Sequence, residues 1–138
     1  DGVLQTWLLD SASARQLGMS PTGHAARGVG GAPGVTTSNF YMHAGLVPVE
    51  TLIGDITRGV YVTELIGQGV NGVTGDYSRG AAGFLIENGE IARPIAEFTI
   101  AGNLKEMFAN LTPASDLVFR YGTNVPTVRI DGMTVAGG

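Results

Sequence analysis

Cysteine is absent from this sequence of 138 residues. Without thiols the chain can form no disulfide framework, and no thiolate can act as a metal ligand or a nucleophile. Charged residues are scarce as well, at 14%, with a net charge of −4. Seven of the eight basic residues are isolated arginines, so there is no basic stripe of the kind that nucleic-acid binding requires. We therefore expect no nucleic-acid partner.

Long apolar runs are also missing. None approaches the roughly 20 residues that a membrane helix needs, so we expect no membrane association. The length suits a single domain over residues 1–138 with a real hydrophobic core. The chain begins at Asp1 without a methionine or a signal peptide, and we expect it to be part of a longer protein. The lack of cysteine is compatible with the cytosol.

Glycine is abundant, with 22 residues, many of them beside β-branched side chains. This composition favours a turn-rich β protein over a helical bundle. The clearest local signal is Asn88-Gly89, which supplies the two positive-φ residues of a type I′ turn between apolar runs. The stretch Val60–Pro94 is thus predicted to hold three antiparallel strands. Asp131-Gly132 predicts a second hairpin near the end of the chain.

Three short helices are predicted around these strands. The first is SASARQL, capped by Asp10 or Ser11 and ended by Gly18, after a strand at residues 4–9 that buries Trp7. The second begins at Val47-Pro48 and ends at Gly59. The third runs from Asn103 to Leu111 and is expected to bury Leu104, Met107 and Phe108. The predicted class is α+β, predominantly β, with a twisted antiparallel sheet or barrel and a few short helices.

A glycine triad, Gly67-x-Gly69-x-x-Gly72, matches the dinucleotide-binding fingerprint. That fingerprint requires a helix directly afterwards, because the helix N-terminus holds the pyrophosphate. The residues that follow, VTGDYSRGAAG, are too rich in glycine for a helix. We interpret the triad as turns within a β region and expect no nucleotide site.

Two histidines are the only imidazole groups of the chain. His24 lies in a long loop at residues 18–37, together with Arg27, and His43 follows 19 residues later. A zinc site needs three or four ligands at suitable spacing, and neither histidine has such partners in the sequence. We expect no metal ligands in this domain. His24 is kept as a candidate contact because long loops are often functional.

The segment Asp76-Tyr77-Ser78-Arg79 combines an acid, two hydroxyls and a base. As a nucleophile centre it lacks a neighbouring histidine, and GxSxG is absent. We expect a structural turn in which Arg79 pairs with Asp76, or a contact with a peptide or partner. No catalytic residue is therefore assigned, and no complete active site is evident.

Several longer segments carry a family resemblance: LLDSASARQLGMSPTGHAAR, SNFYMHAG, GVYVTELIGQGVNGVTGDYSRGAAGFLIENGEI, TIAGNL and VPTVRIDGMTVAGG. Together and in this order they resemble the C-terminal domain of the PmbA/TldD family. Within it, Gly75 to Ala81 (GDYSRGA) resembles the PmbA branch, also called TldE. The match covers essentially the whole chain, which would then be the C-terminal domain of a longer PmbA-like protein.

The resemblance implies a cytoplasmic zinc metallopeptidase system that processes or degrades unfolded peptides, matures a microcin and was described as a modulator of DNA gyrase. It also implies a heterodimer with a TldD-like subunit, or a homodimer. In that family zinc is held on TldD by an HExxxH helix and by a cysteine of its C-terminal domain. Here the corresponding segment, Asp116 to Gly122, has no cysteine. The resemblance thus implies the partner subunit without the metal, with Asp76, Tyr77, Ser78, Arg79 and His24 as candidate contacts.

Two other functions remain open from the residues alone. One is a self-sufficient hydrolase that uses Asp76, Ser78 and either His24 or His43. The other is a β-rich binding or oligomerisation module without a proteolytic role, because no complete site is present.

Overall fold

The computed structural model describes residues 3–137. Within that range the helices are α1 (Ser11–Leu17), α2 (Val49–Ile53) and α3 (Leu104–Ala109). The strands are β1 (Ala25–Ala26), β2 (Gly34–Val35), β3 (Phe40–Tyr41), β4 (Arg58–Ile66), β5 (Asp76–Glu87), β6 (Glu90–Asn103), β7 (Leu111–Pro113), β8 (Thr123–Asn124), β9 (Val128–Ile130) and β10 (Thr134–Ala136). The predicted class is confirmed, since strands predominate and the helices are few and short. Over the described range the sheets stay open, and none closes into a barrel.

The chain forms two compact units. The first comprises the described residues up to Met42 together with Phe119–Asn124. The second comprises His43–Val118 and the described residues from Val125 onward. That residues 1–138 make one domain stays a prediction.

The second unit contains a four-stranded sheet in the order β10-β6-β5-β4, with every neighbouring pair antiparallel. The turn between β5 and β6 has positive φ at both central residues, 51° at Asn88 and 81° at Gly89. The predicted type I′ turn is therefore confirmed. A side chain at position 89 would also collide with the backbone of Gly54, so glycine is needed there for packing as well.

A buried hydrophobic cluster of this unit lies on one face of the sheet. Ala81 on β5 stands opposite Phe98 on β6, and Ile100 completes the buried cluster. Directly paired residues share a face and neighbours along a strand alternate, so these strands bring every second side chain to the cluster. Half-buried side chains pack around it: Val60, Val62, Tyr77, Ile95 and Met133.

The second hairpin prediction is wrong. β9 pairs with β7, whereas β10 pairs with β6, so the two strands on either side of Asp131-Gly132 do not pair with each other. Of the two residues Asp131 and Gly132, only Gly132 has a positive φ, 83°. A type I′ turn requires a positive φ at both central residues. The two strands that this connection joins, β9 and β10, therefore pair with different neighbouring strands.

The first unit begins with α1, whose predicted ends are confirmed. The Asp10 carboxylate accepts a hydrogen bond from the Ser13 backbone N–H at 2.7 Å, and Gly18 ends the helix with φ 66°. The residues before α1 do not form the predicted strand. Trp7, which was expected to be buried, is 56% exposed. The loop that follows contains the short antiparallel pair β1–β2, and β3 pairs with β8 in parallel.

Two predictions about the other helices are also wrong. α2 ends at Ile53 with Gly54 as its cap, and Gly59 lies inside β4 opposite Ile86. In α3 the Asn103 cap and the buried Met107 are as predicted, but Phe108 is 66% exposed.

Candidate functional site

The segment Asp76–Arg79 is the first part of β5 and not a turn. It pairs residue by residue with β6, from Asp76 opposite Asn103 to Arg79 opposite Ile100. The prediction of a structural turn here is therefore wrong. A contact of these residues with a peptide or a partner stays a prediction.

Asp76 is held at the start of β5 by neutral hydrogen-bond donors. Its carboxylate accepts from the Thr74 hydroxyl at 2.6 Å and from the Asn103 amide at 3.3 Å. These bonds, the Thr74 bond above all, lower the pKa of Asp76 because they stabilise its charged form. The predicted pair with Arg79 does not form, since residues three apart on a strand point to opposite faces.

Asn103 ties the loop before β5 to the start of α3. Its amide nitrogen also donates to the Thr74 carbonyl at 3.1 Å, and its amide oxygen accepts from the Lys105 N–H at 3.1 Å as the helix cap. On the same loop, the Asn71 side chain accepts from the N–H groups of Val73 and Thr74. The loop is thus fixed from both sides by side-chain amides.

Tyr77 and Ser78 point to opposite faces of β5. Tyr77 is half-buried and packs against the Ala81–Phe98–Ile100 cluster. Ser78 is exposed, and its backbone N–H donates to the Gly69 carbonyl at 2.7 Å. Because the oxygens of Asp76 are engaged by Thr74 and Asn103, the arrangement does not resemble a triad with Ser78 as the nucleophile.

The glycine triad forms the loop that faces Ser78. A side chain at position 69 would collide with the Ser78 carbonyl, and Gly67 has φ 76°, so both positions require glycine. The next regular element is β5 and not a helix. The interpretation of the triad as turns within a β region is thus confirmed. Together the loop and the start of β5 line a shallow depression of about 360 Å³: Gln68, Gly69, Val70, Asn71, Asp76, Tyr77 and Ser78.

Arg79 has an unusual environment for an arginine. It is half-buried, and it lies on the core face of the sheet, between Tyr77 and Ala81 on β5 and opposite Ile100. Its Nη2 donates to the Leu65 carbonyl at 3.3 Å, whereas its Nε is buried without a hydrogen-bond partner. The sequence marks Arg79 as a candidate but does not predict its environment, because the face of a strand residue follows from the register of pairing.

His24 belongs to the first unit, whereas Asp76–Arg79 belong to the second. The ring nitrogen Nδ1 of His24 lies 2.8 Å from the Thr22 hydroxyl, which also accepts from the Leu9 N–H at 2.8 Å. This places His24 in a local polar contact that fixes the chain after α1.

Over residues 3–137 no three His, Cys, Asp or Glu side chains come together as a group that could hold a metal ion. No helix within that range is long and apolar enough to cross a membrane.

Comparisons with known proteins agree with the resemblance of the motifs. The family model described as the PmbA/TldA metallopeptidase C-terminal domain matches residues 1–137, and the chain belongs to this family. The metalloprotease PmbA of Escherichia coli O157:H7 is 46% identical over 138 residues, which are 99% of this chain and 29% of that protein. The chain thus spans less than a third of this relative's length.

Solved structures show the same fold. TldE from Thermococcus kodakarensis has a TM-score of 0.86 at 26% identity, over 99% of this chain and 32% of that one. A Thermotoga maritima protein, provisionally named as a modulator of a DNA gyrase, has a TM-score of 0.82 at 33% identity, over 98% and 31%. By contrast, the TldD homolog of Haemophilus influenzae is only 28% identical over 154 residues, 99% of this chain and 32% of that protein.

Proposed function

We propose that the chain is the C-terminal domain of a PmbA/TldE-type subunit of a TldD-type zinc metallopeptidase complex that acts on unfolded peptides in the cytoplasm. The higher identity to PmbA, 46%, than to a TldD homolog, 28%, supports the branch. In this proposal the subunit contributes no zinc ligand from this domain, and the metal sits on a TldD-like partner. The observation that supports this most directly is the lack of cysteine, the ligand type that a TldD-type site takes from this domain.

The proposed contribution of this domain is to bind an extended peptide along β4. This strand has nine residues and lies at one end of the sheet order, and no strand pairs with its outer side within the described part of the chain. An open edge offers backbone N–H and C=O groups, which bind a peptide without demanding a particular sequence. A bulge at Thr63, between Val62 and Glu64, divides the edge into two short stretches.

The assignment of roles is tested with the full-length protein. Peptide cleavage and zinc content are measured for this subunit, for a TldD-like partner and for the two combined. We expect cleavage only when the partner is present, and stoichiometric zinc only on the partner. Stoichiometric zinc together with cleavage by this subunit alone would contradict the proposal.

Strand addition has a test of its own. One unfolded peptide is prepared with backbone N-methyl groups on its even residues, and another with them on its odd residues. Only alternate N–H groups of an added strand face the sheet edge, so one of the two peptides should lose affinity much more than the other. Equal affinities would rule out strand addition.

A second candidate function is a binding or oligomerisation module with no proteolytic role. It is favoured by large apolar side chains that stand open in the second unit, for example Val73 at 94% and Phe108 at 66% exposure. A pull-down with a TldD-like protein separates the two candidates. Association followed by cleavage supports the first, and self-association without binding of the TldD-like protein supports the second.

A further inference from the structure

The guanidinium of Arg79 is incompletely paired. Among the described residues, one of its five N–H donors makes a hydrogen bond, at 3.3 Å to the Leu65 carbonyl, and the Nε donor is buried without an acceptor. Within the described residues no carboxylate oxygen lies within 4.0 Å of this side chain. A buried donor without a partner is unfavourable, and more so when it carries charge, so the residue calls for an explanation.

In the same unit, the guanidinium of Arg129 has several hydrogen-bond acceptors. Its side chain is 23% exposed, and it donates to the Leu52 carbonyl at 2.8 Å, to Asp131 at 2.9 Å and to Asp55. Two carboxylates and a carbonyl thus surround that guanidinium. Arg79 has the carbonyl contact and lacks the carboxylates.

We infer that Arg79 binds a carboxylate of the extended peptide that β4 accepts, an inference that rests on the proposed function. The guanidinium fork matches a carboxylate with two parallel hydrogen bonds, and this pairing is stronger than a bond to a neutral acceptor. A small turn of the guanidinium would present Nε and Nη2 to such a ligand, which would then satisfy the buried donor.

The position of Arg79 supports a ligand at this edge. Its side chain starts on β5 and reaches the Leu65 carbonyl near the end of β4, the outermost strand. Leu65 and Ile66 are both exposed there, at 42% and 59%. A peptide chain laid along β4 would therefore pass close to the guanidinium. Its carboxylate could come from an Asp or Glu side chain or from the peptide's C-terminus.

The test uses the full-length protein and three fluorescent unfolded decapeptides, with fluorescence anisotropy as the measurement. One peptide carries a central Glu and an amidated C-terminus, the second replaces this Glu by Gln, and the third has the Gln and a free C-terminal carboxylate. We expect one acidic peptide to bind the wild type about tenfold more tightly than the neutral peptide. Which acidic peptide gains affinity identifies the source of the carboxylate.

Arg79→Gln should remove this preference and leave the affinity for the neutral peptide unchanged. Arg79→Lys keeps the charge but not the fork, and should retain part of the preference. The matched control is Arg93→Gln, which changes the same charge at an exposed position on β6 and should keep the full preference. The melting temperature is recorded for each variant, and Arg79→Lys alone decides the question if Arg79→Gln does not fold.

The remaining outcomes each contradict a different claim. If wild type binds all three peptides equally, or if Arg79→Gln weakens all of them alike, Arg79 binds no peptide carboxylate and strand addition stands. If wild type binds no peptide, the proposed peptide site fails and the inference fails with it. If Arg79→Gln reduces association with a TldD-like protein but not the peptide preference, the carboxylate belongs to that partner and the peptide inference is overturned.

Discussion

Arg129 joins β9 to the end of α2 by binding the carboxylate of Asp55, 74 residues earlier in the chain. The same guanidinium also donates to the Leu52 carbonyl and to Asp131. One side chain thus closes a long loop of the second unit, and it joins the segment VPTVRIDGMTVAGG to a part of the chain outside the segments that carry the family resemblance.

Replacing Arg129 by Met should lower the free energy of unfolding by about 1 kcal/mol, because the aliphatic stem is kept while three acceptors lose their donor. The two ion pairs with carboxylates contribute little to the free energy of unfolding, since both carboxylates are largely exposed to water. Urea unfolding of the chain measures the change. Arg93→Met, at an exposed site on β6, is the control and should leave the midpoint unchanged.

Acid should destabilise the protein through Asp76. The Thr74 hydroxyl, and to a smaller extent the Asn103 amide, hold the pKa of this carboxyl below its ordinary value of 3.8. The folded state therefore binds the proton less readily than the unfolded state, so this stabilisation is fully present above pH 3.8 and is lost as the pH falls through the folded pKa. Asp76→Asn should reduce stability at pH 7 and flatten its decline below pH 4. An unchanged acid profile would contradict the assignment.

Gly89→Val should destabilise the hairpin between β5 and β6 by at least about 1 kcal/mol, since a β-branched residue resists a positive φ and the added side chain would meet Gly54. The melting temperature measures this loss. Gly72→Val is the control, because position 72 has open space and no left-handed φ. Equal melting temperatures for the two variants would show that the turn tolerates another geometry.

Gly69→Ala should detach the loop before β5, because the added Cβ would collide with the Ser78 carbonyl. The hydrogen bond from the Ser78 N–H to the Gly69 carbonyl, 2.7 Å long, would then be lost. Hydrogen exchange of the Ser78 amide should become faster in Gly69→Ala and stay as in wild type in Gly72→Ala. Full protection in Gly69→Ala would show that the loop adapts.

Ser78→Ala should leave peptide cleavage by the full-length protein with its TldD-like partner unchanged. The carboxylate of Asp76, the acid that a triad with Ser78 would need, is engaged by Thr74 and Asn103. Loss of cleavage with an intact fold would support the hypothesis of a hydrolase in which Ser78 is the nucleophile.

The family assignment needed only the order of short motifs, but the environment of the candidate residues did not follow from them. Asp76 and Arg79 lie three residues apart in the sequence, and this spacing with opposite charges predicts a mutual ion pair. The strand places them on opposite faces, one bonded to Thr74 and Asn103 and the other on the core face. The incomplete pairing of Arg79 is visible only when the register of β5 with β6 is known.

The sequence by itself determined the features that depend on a few adjacent residues: the Asp10 and Asn103 caps, the Gly18 helix end and the Asn88-Gly89 turn. Each is decided by local φ preferences or by a side chain that bonds its own backbone. Only the tertiary structure decided that the strands around Asp131-Gly132 join different partners, and that Trp7 is exposed. Strand pairing and burial depend on segments that are distant in the chain and compete for the same sheet edges and faces. A local sequence pattern therefore does not predict which strands pair or which side chains are buried.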